Sequence, residues 1–264
     1  MSRACALLRP VCLVLAILLA GLLPSLAQDD ADYPKGPEGG HKLAAELGAL
    51  KPAQDTNWQG VLKISARGHK TVSVPIACEW KTGDPTWSVT YLTAATNSIP
   101  AEKLTIVFST NGPPEYWYAR AASPDAPPGE AKKLLGSQAD IPLAGSDFWL
   151  SDLGFEFYHW PGQTLLKGEL RRSESCFVLE STNPDAPAGG YGRVKVWVTK
   201  KKGRVPLEAE AYGKDGNLLK DFELGSVTKV NGQYELKDLK ITNDRTNSRT
   251  QLLFDLKAVD PNAR

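Results

Sequence analysis

The sequence predicts a mostly β protein, an antiparallel, half-closed β-barrel of about ten to eleven strands with short helices as a lid. Three observations carry that expectation. From Trp58 to Leu256 apolar residues recur at every second position, the period of half-buried strands. Tight-turn pairs such as Asp215-Gly216 and Asn231-Gly232 separate the runs, and turns that short make hairpins, not the helical crossovers of a parallel sheet. Only two segments carry a helical pattern.

The first 27 residues read as a cleaved secretory signal. Arg3 and Arg9 precede an almost wholly apolar run from Val11 to Leu23, and Ser25 and Ala27 stand at −3 and −1 of a cut before Gln28. The apolar run, about 13 residues, is shorter than the ~20 that span a bilayer. No cysteine follows the cut, so the expected product is exported and carries no lipid anchor of its own. Residues 28–40 (QDDADYPKGPEGG) read as a flexible leader, and 41–260 as one domain.

Within that domain, 41–50 (HKLAAELGAL) forms the first helix, with Leu43, Leu47 and Leu50 on one face and Pro52 as its stop. The strands follow. Leu62, Ile64 and Ala66 oppose Lys63 and Ser65, and Val72, Val74, Ile76, Cys78 and Trp80 form a second set. Trp87, Val89 and Tyr91 make a third, and Leu104, Ile106 and Phe108 a fourth. Late in the chain Val194, Val196 and Val198 alternate with polar partners, as do Val205 to Ala211 and Thr250 to Leu256. Residues 123–130 and 183–190 are Pro-rich and read as surface loops.

The stretch 145–160 (GSDFWLSDLGFEFYHW) stands apart, with six aromatic residues in sixteen. Ser146 can cap a short helix there, and so short a helix needs an apolar surface to lie on. A sheet of ten strands with one apolar face must curl or be covered. Two short helices leave either an apolar hollow, which suits apolar ligands, or an interior filled by side chains.

Charge and chemistry narrow the function. Once the signal and its two arginines are gone, 29 Lys+Arg face 30 Asp+Glu, a balance that argues against a nucleic-acid partner. The three histidines have no metal-ligand spacing, and no nucleophile elbow, P-loop or dinucleotide fingerprint occurs. Asp147 and Asp152 lie close in sequence, but acids near a helix start serve its N–H groups more often than acid–base chemistry. No enzyme, metal or cofactor is expected. Cys78 and Cys176 either form one disulfide, which an exported protein allows, or stay as two buried thiols.

Several blocks in order make the chain resemble the outer-membrane lipoprotein-sorting proteins, a LolA-like family of periplasmic carriers in Gram-negative bacteria. After the signal and the helix come TNWQGVLKI (56–64), GSDFWLSDL (145–153), YGRVKVWV (191–198) and PLEAEAYGKDGNLLK (206–220). The Pro-rich middle, 113–142, departs from the pattern, and the arginine that clamps the lid in the best-studied carriers has no counterpart. The resemblance implies an open eleven-stranded half-barrel in the periplasm that holds acyl chains of a lipoprotein or lipid. It implies partners as well, a membrane-bound donor and an acceptor, with the carrier itself a monomer. On that reading Trp87, Val89, Tyr91, Leu104, Ile106 and Phe108 form the cavity walls, and Phe148, Trp149 and Leu153 the lid. The other reading is a structural or protein-interaction module of the cell envelope, in which the same residues are ordinary core.

Overall fold

The computed structural model describes residues 33–255 except 202, 226, 231 and 232, and gives only the backbone for 227–230 and 233–236. The signal (1–27), the Asn231-Gly232 turn and residues 256–260 therefore lie outside the described residues. Helix α1 (Pro37–Gly48) comes first, then a meander of β1 (Thr56–Ala66), β2 (Val72–Lys81), β3 (Thr86–Thr93), β4 (Glu102–Ser109), β5 (Gly112–Arg120) and β6 (Lys132–Leu134). A largely non-strand segment follows, holding three short 3₁₀ turns and the one-turn helix α2 (Leu150–Leu153). The chain then returns through β7 (Gly162–Leu165), β8 (Glu169–Arg171), β9 (Glu174–Thr182), β10 (Arg193–Thr199), β11 (Pro206–Tyr212) and β12 (Leu218–Leu224). Last come the hairpin β13 (Val227–Val230) and β14 (Gln233–Leu236), then β15 (Asp238–Asn243) and β16 (Ser248–Asp255).

Fourteen of these strands make one sheet, in the order β6-β5-β4-β3-β2-β1-β16-β15-β12-β11-β10-β9-β7, with β8 also on β9. Every neighbour in it is antiparallel. The order does not close on itself, so the sheet is an open half-barrel. Its middle is the seam where the first strand meets the last, with Val61 opposite Leu253 and Ile64 opposite Thr250.

The helix begins earlier than the sequence pattern predicts, and this corrects the flexible leader over its described part, residues 33–40. Pro37 stands in the first turn, where its missing N–H and fixed φ suit the start of a helix. Gly39 and Gly40 follow inside it, and both are buried. A Cβ on Gly40 would fall 2.5 Å from the backbone of Gln163 and Thr164, so glycine lets α1 lie directly on β7. Tyr33, also assigned to the leader, is buried and its ring packs 5.0 Å from that of Phe177.

Two core clusters divide the inner face. One joins the β1–β5 half and the β15–β16 strands to residues of the 139–153 segment, with Ile76, Val89, Leu104 and Ile106 against Leu143, Phe148 and Leu150. The other joins α1, through Leu43 and Leu47, to β7 and β9–β12, together with Phe157 and Tyr158. A third, smaller cluster of Cys176, Val178 and Trp197 lies on the outer face. There the Arg171 guanidinium of β8 stacks 4.1 Å over the Trp197 ring, and Glu169 accepts its Nε1–H at 2.9 Å.

Candidate functional site

The inner face is filled in the middle and hollow at one end. Residues 139–153 descend onto the strands as a plug, and buried polar groups hold it there. Glu102 of β4 is 1% exposed and accepts the Ala144 N–H at 2.7 Å, where the backbone turns through a left-handed φ of 50°. Burial pushes the Glu102 carboxyl up, and the bond from Ala144 partly offsets this. Asp147 is tied to β16: its carboxylate accepts from Ser248 and from Thr250 (2.8 Å), and its N–H donates to Thr250 Oγ1 at 2.9 Å.

Asp152 anchors the other end of the plug. Its Oδ2 accepts the Trp149 N–H at 2.8 Å, the Tyr191 hydroxyl at 3.3 Å and the Lys220 ammonium at 3.0 Å. The Lys220 ammonium also sits 3.7 Å over the Trp149 ring, which stacks on Tyr191 with centroids 4.5 Å apart. Asp152, not Ser146, therefore caps α2. Ser146 turns its Oγ to the Phe148 N–H at 3.2 Å. Of the two acids, Asp152 bonds a backbone N–H of the segment, whereas the Asp147 carboxylate bonds only hydroxyls of β16; together they pin the segment to β12 and β16.

Beyond the plug a cavity of about 440 Å³ remains. Its floor is the inner face of the sheet at one rim, with Trp58, Trp80, Trp87 and Phe108 as the large side chains. These rings order one another: Phe108 stacks on Trp87 (5.8 Å, 9° between planes) and on Trp80 (6.1 Å, 14°), and Trp58 packs 5.2 Å from Phe254. Register explains the grouping, since Trp87 pairs with Phe108 across β3–β4 and Trp80 with Val89 across β2–β3. The roof is the end of α1, residues 50–54, and the turn after α2 with Gly154, Phe155 and Tyr158. Leu50 and Phe155 lie exposed at the opening, 57% and 42%. Phe155 is held at φ 50°, ψ 41°, left-handed backbone that a bulky residue rarely takes.

Of the residues expected to form walls, Trp87 and Phe108 line this cavity. Val89, Tyr91, Leu104 and Ile106 do not; they are buried core beneath the plug. The expected lid residues are not at the cavity either. Phe148 and Leu153 are buried in the plug, and Trp149 packs on Tyr191 under Lys220. Physical reason accounts for the shift: the plug is apolar enough to occupy the centre of the face itself, so the larger free wall lies where it ends, and Phe148 lines only a small hollow of about 50 Å³ beside Phe155 and Tyr158. Sequence reasoning missed Trp58 and Trp80 as lining and Phe155 as the exposed ring at the mouth. Trp58 and Trp80 share the inward parity of Leu62 and Ile76, a signal that was available.

The thiols are separate. Cys78 on β2 and Cys176 on β9 are both free and buried, one on the inner face and one in the outer-face cluster. The disulfide alternative is thus replaced by two thiols. Burial pushes the Cys78 thiol up to about 12. Among the described residues no group of three or more His, Cys, Asp or Glu is placed to hold a metal ion.

Solved structures share this architecture. A DUF1329 family protein from Desulfovibrio piger superposes with a TM-score of 0.69 at 18% identity, covering 88% of this chain and 96% of that one. A domain from Vibrio parahaemolyticus, provisionally described as an outer membrane lipoprotein-sorting protein, gives 0.65 at 20% identity, with 83% and 91% covered. A LolA superfamily protein from Nitrosomonas europaea gives 0.57 at 18%, with 86% and 95% covered. No curated protein matches the sequence. A family profile described as "Uncharacterized protein" matches residues 129–262, from just before β6 through the last strand. The chain belongs to that family, and its fold is an open half-barrel shared with these solved structures.

Proposed function

We propose that the protein is a periplasmic carrier that shields acyl chains of a lipoprotein or lipid in the cavity at the rim of the half-barrel. One observation carries the reading. A hollow of about 440 Å³ is floored by four aromatic side chains of the sheet and roofed by a turn with an exposed, left-handed Phe155. That volume falls within the ~300–1,000 Å³ of ligand pockets, and their linings are likewise apolar with few polar groups. Transfer of acyl carbons from water gains about 0.8 kcal/mol per buried CH₂, enough for a chain of moderate length to hold without covalent chemistry.

The fold of the lipoprotein-sorting and LolA superfamily neighbours supports the same reading. A carrier needs no cofactor and no catalytic group, only an apolar wall and a way to open it. The plug is held by one buried ion pair and several hydrogen bonds, so opening falls to residues 50–54 and 154–159 at the rim, not to Phe148, Trp149 and Leu153.

Native mass spectrometry of the exported protein as purified tests this. The expected result is an adduct with the mass of an acylated species that delipidation removes and added fatty acid restores. Trp58→Glu, which places a carboxylate in the cavity floor, should abolish it while far-UV circular dichroism stays the same. A protein that never takes up an acyl chain overturns the proposal in favour of a structural envelope module.

A further inference from the structure

On the other side of the turn after α2 lies a second pocket, of about 230 Å³, that the carrier reading does not use. Its lining brings together Asp140, Asp152 and Glu156, with Asp185 at the edge and the rings of Phe157, Trp160 and Tyr191 around them. No lysine or arginine is among the described residues that line it. The ammonium of Lys220 is committed to Asp152 Oδ2 and to the Trp149 ring.

The carboxylates are not equally satisfied. Asp140 accepts from Ser151 Oγ at 2.7 Å. Asp152 is different: its side chain is 2% exposed, Oδ2 holds three donors, and Oδ1 is buried with no hydrogen-bond partner. An orphaned carboxylate oxygen in a low-dielectric wall is costly to leave unmatched. Glu156 shows the same shortage of positive charge: burial first, then the nearby Asp140, pushes its carboxyl up to about 7. Other groups facing Glu156 are the Tyr116 hydroxyl of β5 and, across the pocket, Asp152, Asp185 and Tyr191.

We propose that this pocket binds a small organic cation through an ammonium group, which donates to Asp152 Oδ1 and sits between Asp140 and Glu156 against the aromatic wall. An ammonium has three donors and no acceptor, which suits a cluster of carboxylate oxygens. Aromatic faces around it add cation–π attraction, the arrangement that recognises ammonium ligands in general. A divalent metal fits less well: among the described residues no group of three or more His, Cys, Asp or Glu could hold a metal ion, and the rings offer no oxygen. A phosphate or other anion is repelled by the four acids. The cation would lock residues 151–160 from the side opposite the apolar cavity, without entering it.

Calorimetric titration of the full exported chain at pH 8 with n-propylammonium chloride tests the proposal, with 1-propanol and sodium chloride as controls. The expected result is saturable one-to-one binding of propylammonium in the millimolar range or tighter, and none of propanol. The double variant Asp140→Asn/Glu156→Gln should weaken it about tenfold or more. That variant removes mutually repelling charges, so its thermal midpoint should not fall, which separates lost binding from lost folding. Asp125→Asn, in an exposed loop, should bind as the parent does. The proposal is overturned if propanol or sodium gives the same heats, if the double variant binds equally, or if equimolar magnesium displaces the amine.

Discussion

Asp152 and Lys220 form an ion pair 3.0 Å long in which each side chain is 2% exposed, joining the plug to β12 near the centre of the molecule. Burial pushes the Asp152 carboxyl up and the Lys220 ammonium down, while each raises the other's tendency to stay charged. Breaking one side leaves the other as an uncompensated buried charge. Lys220→Met should therefore destabilise the fold by about 3–5 kcal/mol. The double variant Lys220→Met/Asp152→Asn, which keeps an acceptor for the Trp149 N–H, should recover much of that loss. Urea unfolding of the three proteins gives the comparison.

Stability should fall as pH rises toward neutrality, opposite to the trend set by ordinary salt-bridged acids. The Glu156 carboxyl is raised from 4.5 to about 7, and Asp221, on β12 beside Glu223, from 3.8 to about 6. Both hold their protons more tightly when folded. Their contribution is thus full below the unfolded values near 4 and is lost as pH passes through 6 and 7. Glu156→Gln should flatten the upper part of this fall and leave the variant about 2 kcal/mol more stable than the parent at pH 8. Equal pH profiles for the two proteins would refute the assignment.

Phe155 should trade stability for binding. Its left-handed backbone costs a bulky residue about 1 kcal/mol, which asparagine tolerates better. Phe155→Asn should keep or raise the thermal midpoint by a few degrees while weakening acyl-chain retention, because the exposed ring at the mouth is gone. A variant that loses stability and retains lipid would reverse both parts.

Neither thiol should react in the folded protein. Cys78 is 1% exposed and Cys176 is fully buried, and burial pushes both thiols up, so little thiolate is available. A thiol reagent should count none before denaturation and two after it, with or without reductant. A count of zero after denaturation without reductant would mean a disulfide.

Much of the sheet was legible because one face is wet. In β1 to β4, β10 and β16 the inward parity shows as a period of two, and the strands fall where it places them. Elsewhere the physics hides the signal. Cys176 to Leu179 are buried on both faces of β9, so that strand reads as a continuous apolar run with no alternation. In β5, Pro113 and Pro114 suggest a loop, yet they sit beside a register shift against β4 where the ladder is already broken. The strand count rose to sixteen among the described residues, since short pieces such as β6, β8 and the β13–β14 hairpin carry too few residues to show a period. In the site, the two strand residues whose charges hold the plug stood at apolar positions: Glu102 shares the parity of Leu104 and Ile106, and Lys220 that of Phe222. A charge on an inward parity announces a buried partner, but its identity comes only from the fold.

The seam between β1 and β16 sets the order in which the molecule can assemble. Each half of the sheet is a chain of near neighbours, β1 through β6 on one side and β7 through β16 on the other, and can zip locally. The bond between the halves joins Ala66 to Ser248 and Gln59 to Asp255, residues almost the whole domain apart. Contacts of such long sequence separation form last and slowly. Until then two central strands are bare edges, open to pairing with other chains. The most aggregation-prone moment of this protein is therefore not at its outer edges in the finished state but at its middle before the halves have met.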